Sequence, residues 1–552
     1  MHGSKGKDGL KRLLRRARLY APLHRLAYGA RVALGLSPGD RTSPELVAQL
    51  ERVLGGLPDM ARRTEGRLLV AGWSGITLAA QQIPILAAFI RAGFAPIVIL
   101  ESRSTPSRKL YEAAGAQHFA YWNELQPSRT MAEDLGPVSS QDDLLALKHD
   151  GLRIGRYALS TMMRTTRCGR FDFDDPVVKA TATNWLQKTL DAAAFADQLV
   201  RRWKPDGLLV TDQGYTPLGP LFECCVNAGT PSFTWNVGHR DNIVMLKRYG
   251  RCNIDSHFAS LSAKSWEAAR RRPWSEADWN ALAAELAHCY RSGQWFGEVG
   301  TQFDKVFPTH DELIARLSLD PGRRTVLLFP HIFWDGTFFW GRDVFPDYEA
   351  FFTEALKVAY ETPSANWIAK IHPANVVKNH RDGFSGRSNE MRVVDALGKP
   401  PSHVKILDAT TDISTLSLFE IGDVCVTVRG TVGIEAACYG LATVTAGTGR
   451  YDRLGFTIDP QTPETFRETL RRVDRLEKPS AQAVELARRY AHGFLLNRPV
   501  TYETIKFEYA RDAVASLTIS VDEKAGPLLN SREVQAMAHF IQSGQEDFLT
   551  LQ

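Results

Sequence analysis

Two stretches of sequence decide the fold: Lys370-Ile371-His372-Pro373 and Val428-Arg429-Gly430-Thr431-Val432-Gly433-Ile434-Glu435. The first closes an apolar strand predicted over 365–371, and the second joins a strand over 424–428 to a helix over 432–439. Strands that alternate with helices form parallel sheets, and ligands bind outside the carboxyl ends of such strands. The sequence therefore predicts an α/β domain with a ligand site at this sheet edge.

The second stretch has the chemistry of an anion site. A Gly430-Thr431 turn that opens a helix offers backbone N–H groups at the positive end of the helix dipole, which favours phosphate. Lys370, His372 and Arg429 add donors and positive charge. Glu435, one turn into the helix, either accepts from ribose hydroxyls or caps the helix N-terminus. We expect a site for a phosphorylated, nucleotide-linked ligand.

Other strand exits in the second half also carry polar groups. His331 and Asp335 follow the strand over 325–329, and Gly449 and Arg450 follow the strand over 442–446. Neighbouring strands bring these loops together, although a turn or a helix cap also explains each one taken alone. The predicted donor-binding residues are His331, Asp335, Lys370, His372, Arg429, Gly430, Thr431, Glu435, Gly449 and Arg450.

The first half repeats the strand–helix–strand pattern and offers one main catalytic candidate. Strands are predicted over 68–71, 96–100, 207–211, 232–235 and 255–260. Asp212 follows the third of these, where it serves as a general base for an attacking hydroxyl, as a nucleophile toward an anomeric carbon, or only as a turn residue before Gly214. Glu101, His239 and Asp241 are weaker acid–base candidates.

Composition sets the broad class of the protein. The chain has 552 residues, 44% hydrophobic and 23% charged, with a net charge of +5, which predicts a soluble multidomain protein that does not bind nucleic acid. Seven scattered cysteines predict free thiols in a reducing compartment. The sequence shows neither a membrane-spanning run nor a secretory segment, so we expect a cytoplasmic protein. It has no zinc-ligand spacing and no Asp-x-Asp pair where metal-dependent sugar transfer needs one, so we predict neither a metal nor a cofactor.

The charge is uneven only at the start of the chain. Residues 1–36 carry nine Lys and Arg against Asp8, with leucines at helical spacing. Such a basic amphipathic helix binds an anionic membrane surface, or else forms a solvated arm or packs on its own domain. The predicted organisation is a basic arm (1–40), an N-terminal domain (41–264), a helical connector (265–315), a C-terminal nucleotide-binding domain (316–480) and a helical tail (481–552).

The motifs resemble those of GT-B-type glycosyltransferases, and more narrowly those of bacterial capsule polysaccharide biosynthesis proteins related to Kdo transferases. The resemblance is carried by Phe329-Pro330-His331-Ile332-Phe333-Trp334-Asp335, by Lys370-Ile371-His372-Pro373 and by the run from Arg429-Gly430-Thr431 to Gly447-Thr448-Gly449-Arg450-Tyr451. It covers about 320–480, and residues 60–260 match only in their strand–helix rhythm.

The resemblance implies two Rossmann-like domains that face a cleft. It also implies that His372 and Thr431 bind the nucleotide of a donor, often a CMP-activated sugar, although Arg429-Gly430-Thr431 replaces a Ser-rich turn of the family. The expected function is transfer of a sugar from such a donor to a growing cell-surface polysaccharide, at the inner face of the membrane. The alternatives are a polyol-phosphate transferase of the teichoic type and a non-enzymatic scaffold for polysaccharide export.

Overall fold

The computed structural model describes residues 44–550, except positions 125, 303, 382, 385, 513 and 514. The predicted basic arm (1–40) lies outside these residues and stays a prediction. Within the described part of the chain, no helix is long and apolar enough to cross a membrane.

The described strands are β1 (Gly66–Ala71), β2 (Phe94–Leu100), β3 (His118–Tyr121), β4 (Gly207–Val210), β5 (Ser232–Val237), β6 (Ile243–Tyr249), β7 (Thr325–Leu328), β8 (Asn366–Lys370), β9 (Val404–Leu407), β10 (Val424–Thr427), β11 (Ala442–Thr445), β12 (Pro499–Thr501), β13 (Ile505–Tyr509) and β14 (Leu517–Val521). They form a seven-stranded sheet in the order β12-β6-β5-β4-β1-β2-β3, a five-stranded sheet in the order β11-β10-β7-β8-β9, and the hairpin β13-β14.

The described α-helices are α1 (Pro44–Val53), α2 (Leu57–Arg62), α3 (Ile76–Arg91), α4 (Arg108–Ala113), α5 (Gln141–Ala146), α6 (Ile154–Thr166), α7 (Pro176–Trp203), α8 (Leu218–Asn227), α9 (Ala263–Arg271), α10 (Glu276–Arg291), α11 (His310–Leu317), α12 (Tyr348–Glu361), α13 (Ala374–Arg381), α14 (Asn389–Leu397), α15 (Thr415–Phe419), α16 (Thr431–Cys438), α17 (Pro463–Arg471), α18 (Ala481–His492) and α19 (Arg532–Ser543).

Both sheets share the doubly wound strand order. Strands β1–β5 are parallel and lie in the order 3-2-1-4-5, and β7–β11 repeat that order. In each sheet the order reverses beside the first strand, and ligands bind at such a reversal. The fold is α/β, as predicted, with two Rossmann-like domains that face one cleft, the GT-B-type arrangement.

Each sheet is buried on both faces, and successive residues of a strand pack on opposite sides of the sheet. In β1, Leu68 and Val70 pack against α3, while Leu69 packs on the opposite face against α7 and α8. In β7, Val326 belongs to the core under α12 and Leu327 to the core under α11. These double-sided cores explain why the strands read as continuous apolar runs in the sequence.

Two expectations about the elements are wrong. The segment over 255–260 forms turns. The strand of this region is β6, which pairs antiparallel with β5 and was not predicted because Lys247 and Arg248 interrupt its apolar pattern. The tail over 481–552 is not only helical: β12 extends the first sheet, the hairpin β13-β14 follows, and α19 contacts α3. Short alternating strands such as β13 gave too weak a pattern to outweigh the flanking helical pattern.

A buried ionic cluster fixes the end of the chain to the first sheet. Asp547 accepts from Lys247 Nζ at 2.8 Å and from the Ser262 backbone N–H at 2.6 Å, and Lys247 is only 1% exposed. Without Asp547, Lys247 keeps Glu546 at 2.7 Å, but the fully buried Arg498, 3.8 Å from Asp547, loses its carboxylate partner, and a buried charge left without a partner is costly. We therefore expect Asp547→Ala to lower the free energy of unfolding by about 3 kcal/mol or more in urea denaturation.

The matched control for this stability prediction is Glu523→Ala. Glu523 pairs with Arg52 at 2.8 Å on the surface, where such a pair contributes below about 1 kcal/mol. Equal losses for the two variants would contradict the role of the buried cluster.

Candidate active site

A cavity of about 460 Å³ lies where the carboxyl ends of the two sheets face each other. This volume suits a ligand of the size of a nucleotide sugar. Its walls include the loops that follow β4, β7, β8 and β10, and those last three belong to the sheet whose strand order reverses between β7 and β10. The predicted residues that line it are Asp212, His331, Asp335, Lys370, His372, Arg429, Gly430, Thr431, Glu435 and Arg450.

Gly449 is the predicted residue that does not line the cavity. It adopts a φ of +92°, and an added Cβ would lie 2.9 Å from the backbone of Gly341. Its carbonyl accepts from His257 N–H at 3.0 Å, and its own N–H donates to Asp452 at 2.7 Å. Only glycine fits this turn, and the donor-binding role of Gly449 stays a prediction.

The turn before α16 presents an uncapped helix end to the cavity. Gly430 is the residue before the first helical position and has no side chain to cap the helix. Gly433 lies so close to Tyr451 that an added Cβ would be 2.2 Å from its hydroxyl oxygen. Thr431 and Val432 line the cavity. The backbone N–H groups and dipole of this helix end therefore favour an anion in the cavity.

Two buried arginines lie at this helix end. Arg429 pairs with Asp343, and its Nε donates to Thr448 O at 3.1 Å. Arg450 donates to Arg429 O at 3.0 Å and to Thr431 Oγ1 at 2.9 Å.

The two arginines differ in charge compensation. Burial lowers the pKa of Arg450, and no carboxylate of the described residues pairs with it. Arg429 Nη1 and Arg450 Nε are buried and have no hydrogen-bond partner among the described residues. A buried cation without a counter-ion is costly unless an anion joins it.

The two predicted histidines of the cavity, His331 and His372, are neutral. Burial lowers the pKa of each to about 3, that of His331 with help from Arg429 and that of His372 with help from Lys378. His331 Nε2 accepts from Arg429 N–H at 3.2 Å, and His372 Nδ1 accepts from Ala374 N–H at 3.2 Å. The other ring nitrogen of each histidine therefore carries its proton and is a donor.

Lys370 and Glu435 are buried groups that titrate near neutrality. Burial lowers the pKa of Lys370 to about 7, and Lys370 Nζ donates to Thr415 Oγ1 at 2.8 Å. Burial raises the pKa of Glu435 to about 7, and Glu435 accepts from Tyr290 O–H. Glu435 thus does not cap the helix. Lower pH makes Lys370 positive and Glu435 neutral, so the cavity becomes more favourable to an anion.

This titration predicts the pH dependence of donor binding. As the pH rises from 6 to 8, Lys370 loses its charge and Glu435 gains one, so both changes disfavour a phosphodiester. We expect its dissociation constant to increase by about tenfold or more, measured calorimetrically with a CMP-linked sugar whose phosphodiester does not titrate in this range.

The matched variant for the pH prediction is Lys370→Met with Glu435→Gln. We expect this double variant to bind with an affinity that is almost independent of pH. A parent protein whose affinity is itself constant between pH 6 and 8 would refute the assignment.

Asp212 faces these cations from the other side of the cavity. Its side chain is 45% exposed, and its carboxylate lies 3.7 Å from the Arg164 guanidinium. It is therefore open to an acceptor hydroxyl or to an anomeric carbon in the cavity. The turn-residue alternative also has support, because Tyr215 N–H donates to the Asp212 backbone carbonyl at 3.4 Å.

Asp335 lines the cavity, but its carboxylate is already paired with protein groups. Its carboxylate accepts from Tyr215 O–H at 2.6 Å and pairs with Lys378. Burial alone would raise the pKa of Asp335, but Lys378 and Arg164 outweigh it and hold the pKa well below its usual range. Protein donors thus already satisfy this carboxylate, and an anionic phosphate would be repelled by it. We assign Asp335 to the support of the site and not to ligand binding.

Several lining residues escaped the sequence analysis, including Arg164, Tyr215, His257, Tyr290 and Lys378. Most lie on helices or irregular loops and not directly after a strand, so the positions of the predicted strands did not indicate them. The exception is Tyr215, which belongs to the exit loop of β4. Its position shortly after Asp212 was the available signal.

The weaker candidates do not line the cavity. Glu101 is exposed, Asp241 pairs with Arg511, and His239 hydrogen-bonds to Glu285 at 2.8 Å. Within the described residues, His239, Glu285 and Cys289 form one group with metal-ligand geometry, but Arg240 donates to the same Glu285 oxygen at 2.8 Å. The prediction of a metal-independent site stays a prediction.

Comparisons with known proteins give distant structural matches. No family model and no curated protein sequence matches the chain. The β-Kdo 2,4 transferase KpsC of Thermosulfurimonas dismutans matches at 15% identity over 53% of this chain and 80% of its own, with a TM-score of 0.33. UDP-GlcNAc 2-epimerase from Neisseria meningitidis, bound to UDP-GlcNAc, matches at 10% identity over 78% and 97%, with a TM-score of 0.30. At these TM-scores the fold rests on the strand order described above.

Proposed function

We propose that the protein is a glycosyltransferase that moves a sugar from a nucleotide-activated donor to a glycan. The observation that carries the proposal is one cavity with an anion-binding wall on the second sheet and an open carboxylate on the first. The anion wall consists of the α16 N-terminus with Arg429 and Arg450. The open carboxylate is Asp212. This pairing of a leaving-group site with a candidate base or nucleophile is what glycosyl transfer requires.

The donor phosphate would lie against the second sheet. The α16 N–H groups and Arg450 would bind its oxygens, because this wall has buried donors without partners. The neutral His331 and His372 each have one ring N–H left to donate to the nucleotide. As the bond to the sugar breaks, negative charge grows on the departing phosphate, and fixed positive groups stabilise it without reorganising.

The acceptor would approach from the first sheet. Asp212 would then remove the proton of the attacking hydroxyl, or attack the anomeric carbon itself before the acceptor does. Aromatic side chains line the cavity between the two walls, including Trp295, Phe296, Phe339 and Trp340. They provide apolar surface for sugar rings and limit water, which would otherwise hydrolyse the donor.

The finer proposal is a CMP-linked, Kdo-like donor, a cell-surface polysaccharide as acceptor and no cofactor. Its support is the sequence resemblance of the Lys370–Pro373 and Arg429–Thr431 motifs together with their meeting at one cavity. An anionic membrane surface remains the proposed partner of residues 1–36.

Binding of nucleotides tests the proposal directly. Thermal shift and calorimetry with CMP, CDP, UDP and GDP should show one preferred nucleotide, because a ligand that binds only the folded state raises its apparent stability. The double variant His372→Ala, Arg429→Ala should lose that shift. Unchanged binding by the double variant, or no binding by the parent protein, would refute the proposed donor site.

Turnover then separates the reaction classes. A donor panel of CMP-Kdo, a UDP-sugar, a GDP-sugar and CDP-glycerol distinguishes sugar transfer from polyol-phosphate transfer by the product released. Nucleotide binding without turnover of any of these donors would favour the scaffold alternative.

A further inference from the structure

Arg164 lies between the two carboxylates of the cavity. It belongs to α6 of the first half, and its Nη1 is 3.7 Å from Asp212 Oδ2 and 3.6 Å from Asp335 Oδ1. Both distances are longer than a hydrogen bond, so the guanidinium is shared electrostatically and closes on neither acid. Its carbon Cζ lies 4.4 Å from the centre of the Tyr215 ring, so the face of the ring attracts the cation.

The second half fixes this arrangement across the cleft. Tyr215 O–H donates to Asp335 at 2.6 Å and accepts from Gly336 N–H at 3.0 Å. Phe339 packs edge-on against the Tyr215 ring at 4.7 Å. An added Cβ on Gly214 would lie 2.1 Å from the Phe339 ring, so the two loops fit closely. The position of Arg164 therefore depends on the loop that carries Asp335.

Sharing between two acids has a chemical consequence for Asp212. A cation 3.7 Å from the Asp212 carboxylate attracts it and so fixes its orientation in the cavity. A bidentate hydrogen-bonded pair with Arg164 would instead occupy both carboxylate oxygens of Asp212 and prevent them from reacting. Asp335 draws the guanidinium away from such a pair while keeping its charge near Asp212.

We infer that Arg164 is a positioning residue for Asp212 and that Asp335, from the opposite half, holds Arg164 at its working distance. The inference rests on the proposed function, since it presupposes the reactive role of Asp212. It links the meeting of the two halves to the position of the reactive carboxylate.

The test uses the full-length protein and the four-donor panel named above. We expect Arg164→Ala to lower turnover of the accepted donor by about tenfold or more, because a small displacement of a reacting group from its working geometry can cost a factor of this size. Its nucleotide dissociation constant should stay within about twofold of the parent value, because a positioning residue for Asp212 does not contact the anion wall. Millimolar guanidinium should restore part of the turnover of Arg164→Ala, which a purely structural loss would not show.

Further variants keep the test decisive. Asp335→Asn should also lower turnover, since Arg164 is then free to close on Asp212. Arg164→Lys keeps the charge and should retain more turnover than the alanine variant, and it serves if Arg164→Ala does not fold. The matched control is Arg156→Ala on the same helix. Arg156 pairs with Asp255, which also has Arg153 at 2.7 Å as a partner, so this variant should behave as the parent.

The possible results separate the inference from the proposed function. If Arg164→Ala and Arg164→Lys turn over donor like the parent while Asp212→Asn does not, the inference is wrong and the proposed function stands. Equal rescue of Arg164→Ala and Asp212→Asn by guanidinium would also overturn it. A parent protein that turns over none of the four donors overturns both.

Discussion

Replacing Asp212 with Asn is expected to reduce sugar transfer by about a thousandfold while nucleotide binding stays unchanged. The amide keeps the size of the side chain but neither accepts a proton nor attacks carbon at neutral pH. Because Asp212 lies on the first sheet and the anion wall on the second, the loss should appear in turnover and not in nucleotide affinity. Donor turnover with acceptor present, followed by chromatography, measures the first, and calorimetry measures the second.

Two control variants accompany this substitution. Asp197→Asn removes an exposed acid that pairs with Arg201 at 2.9 Å, and it should behave as the parent. Glu298→Gln tests the other exposed carboxylate that lines the cavity. If Glu298→Gln abolishes transfer while Asp212→Asn retains it, the reactive acid has been assigned wrongly.

A comparison of the parent protein with the Asp212→Asn variant also distinguishes the two proposed roles of Asp212. A nucleophile forms a glycosyl–enzyme bond, whereas a general base does not. Mass spectrometry of the protein after incubation with donor alone would detect the added sugar mass. Its absence in the Asp212→Asn variant would locate the bond.

Residues that follow strands directly were predictable from the sequence. Parallel strands bring their carboxyl ends to one sheet edge, so His372 after β8, Thr431 after β10 and Asp212 after β4 had to lie near a common cleft once the sheets were recognised. The buried strands made that recognition possible through their continuous apolar runs. The cavity confirms the meeting of these loops, and their roles remain predictions.

Other parts of the site depend on contacts that no local pattern encodes. Arg164 and Tyr290 face the cavity from helices α6 and α10, where a polar residue on an inward face looks like any other surface residue in the sequence. The close approach of Gly449 to Gly341 requires glycine just as a ligand-binding turn does, so the sequence could not distinguish the two. Asp335 was assigned to the ligand because its protein partners, Tyr215 and Lys378, are distant in sequence.

Arg450→Met is expected to weaken nucleotide binding while leaving thermal stability unchanged or higher. The guanidinium is buried and has no carboxylate partner among the described residues, so its charge costs free energy in the unliganded protein. A bound phosphate would supply the missing counter-ion. Losing that charged contact should cost about 2–3 kcal/mol of binding free energy, or roughly 30- to 150-fold in affinity.

The matched control is Arg498→Met, which removes another buried arginine. Arg498 is 0% exposed, donates to the carbonyls of Phe258, Ser260 and Leu246 at 2.6–2.9 Å, and lies 3.8 Å from Asp547. It holds the fold and does not line the cavity, so its loss should lower the melting temperature and spare nucleotide affinity in the folded fraction.

The two arginine variants should therefore change stability and binding in opposite combinations. Calorimetric titration with the preferred nucleotide and a thermal melt of each variant measure both quantities. A lower melting temperature with unchanged nucleotide affinity for Arg450→Met would show that Arg450 is structural. The anion wall would then lose the buried guanidinium that a donor phosphate was expected to neutralise, and the donor site would have to lie elsewhere.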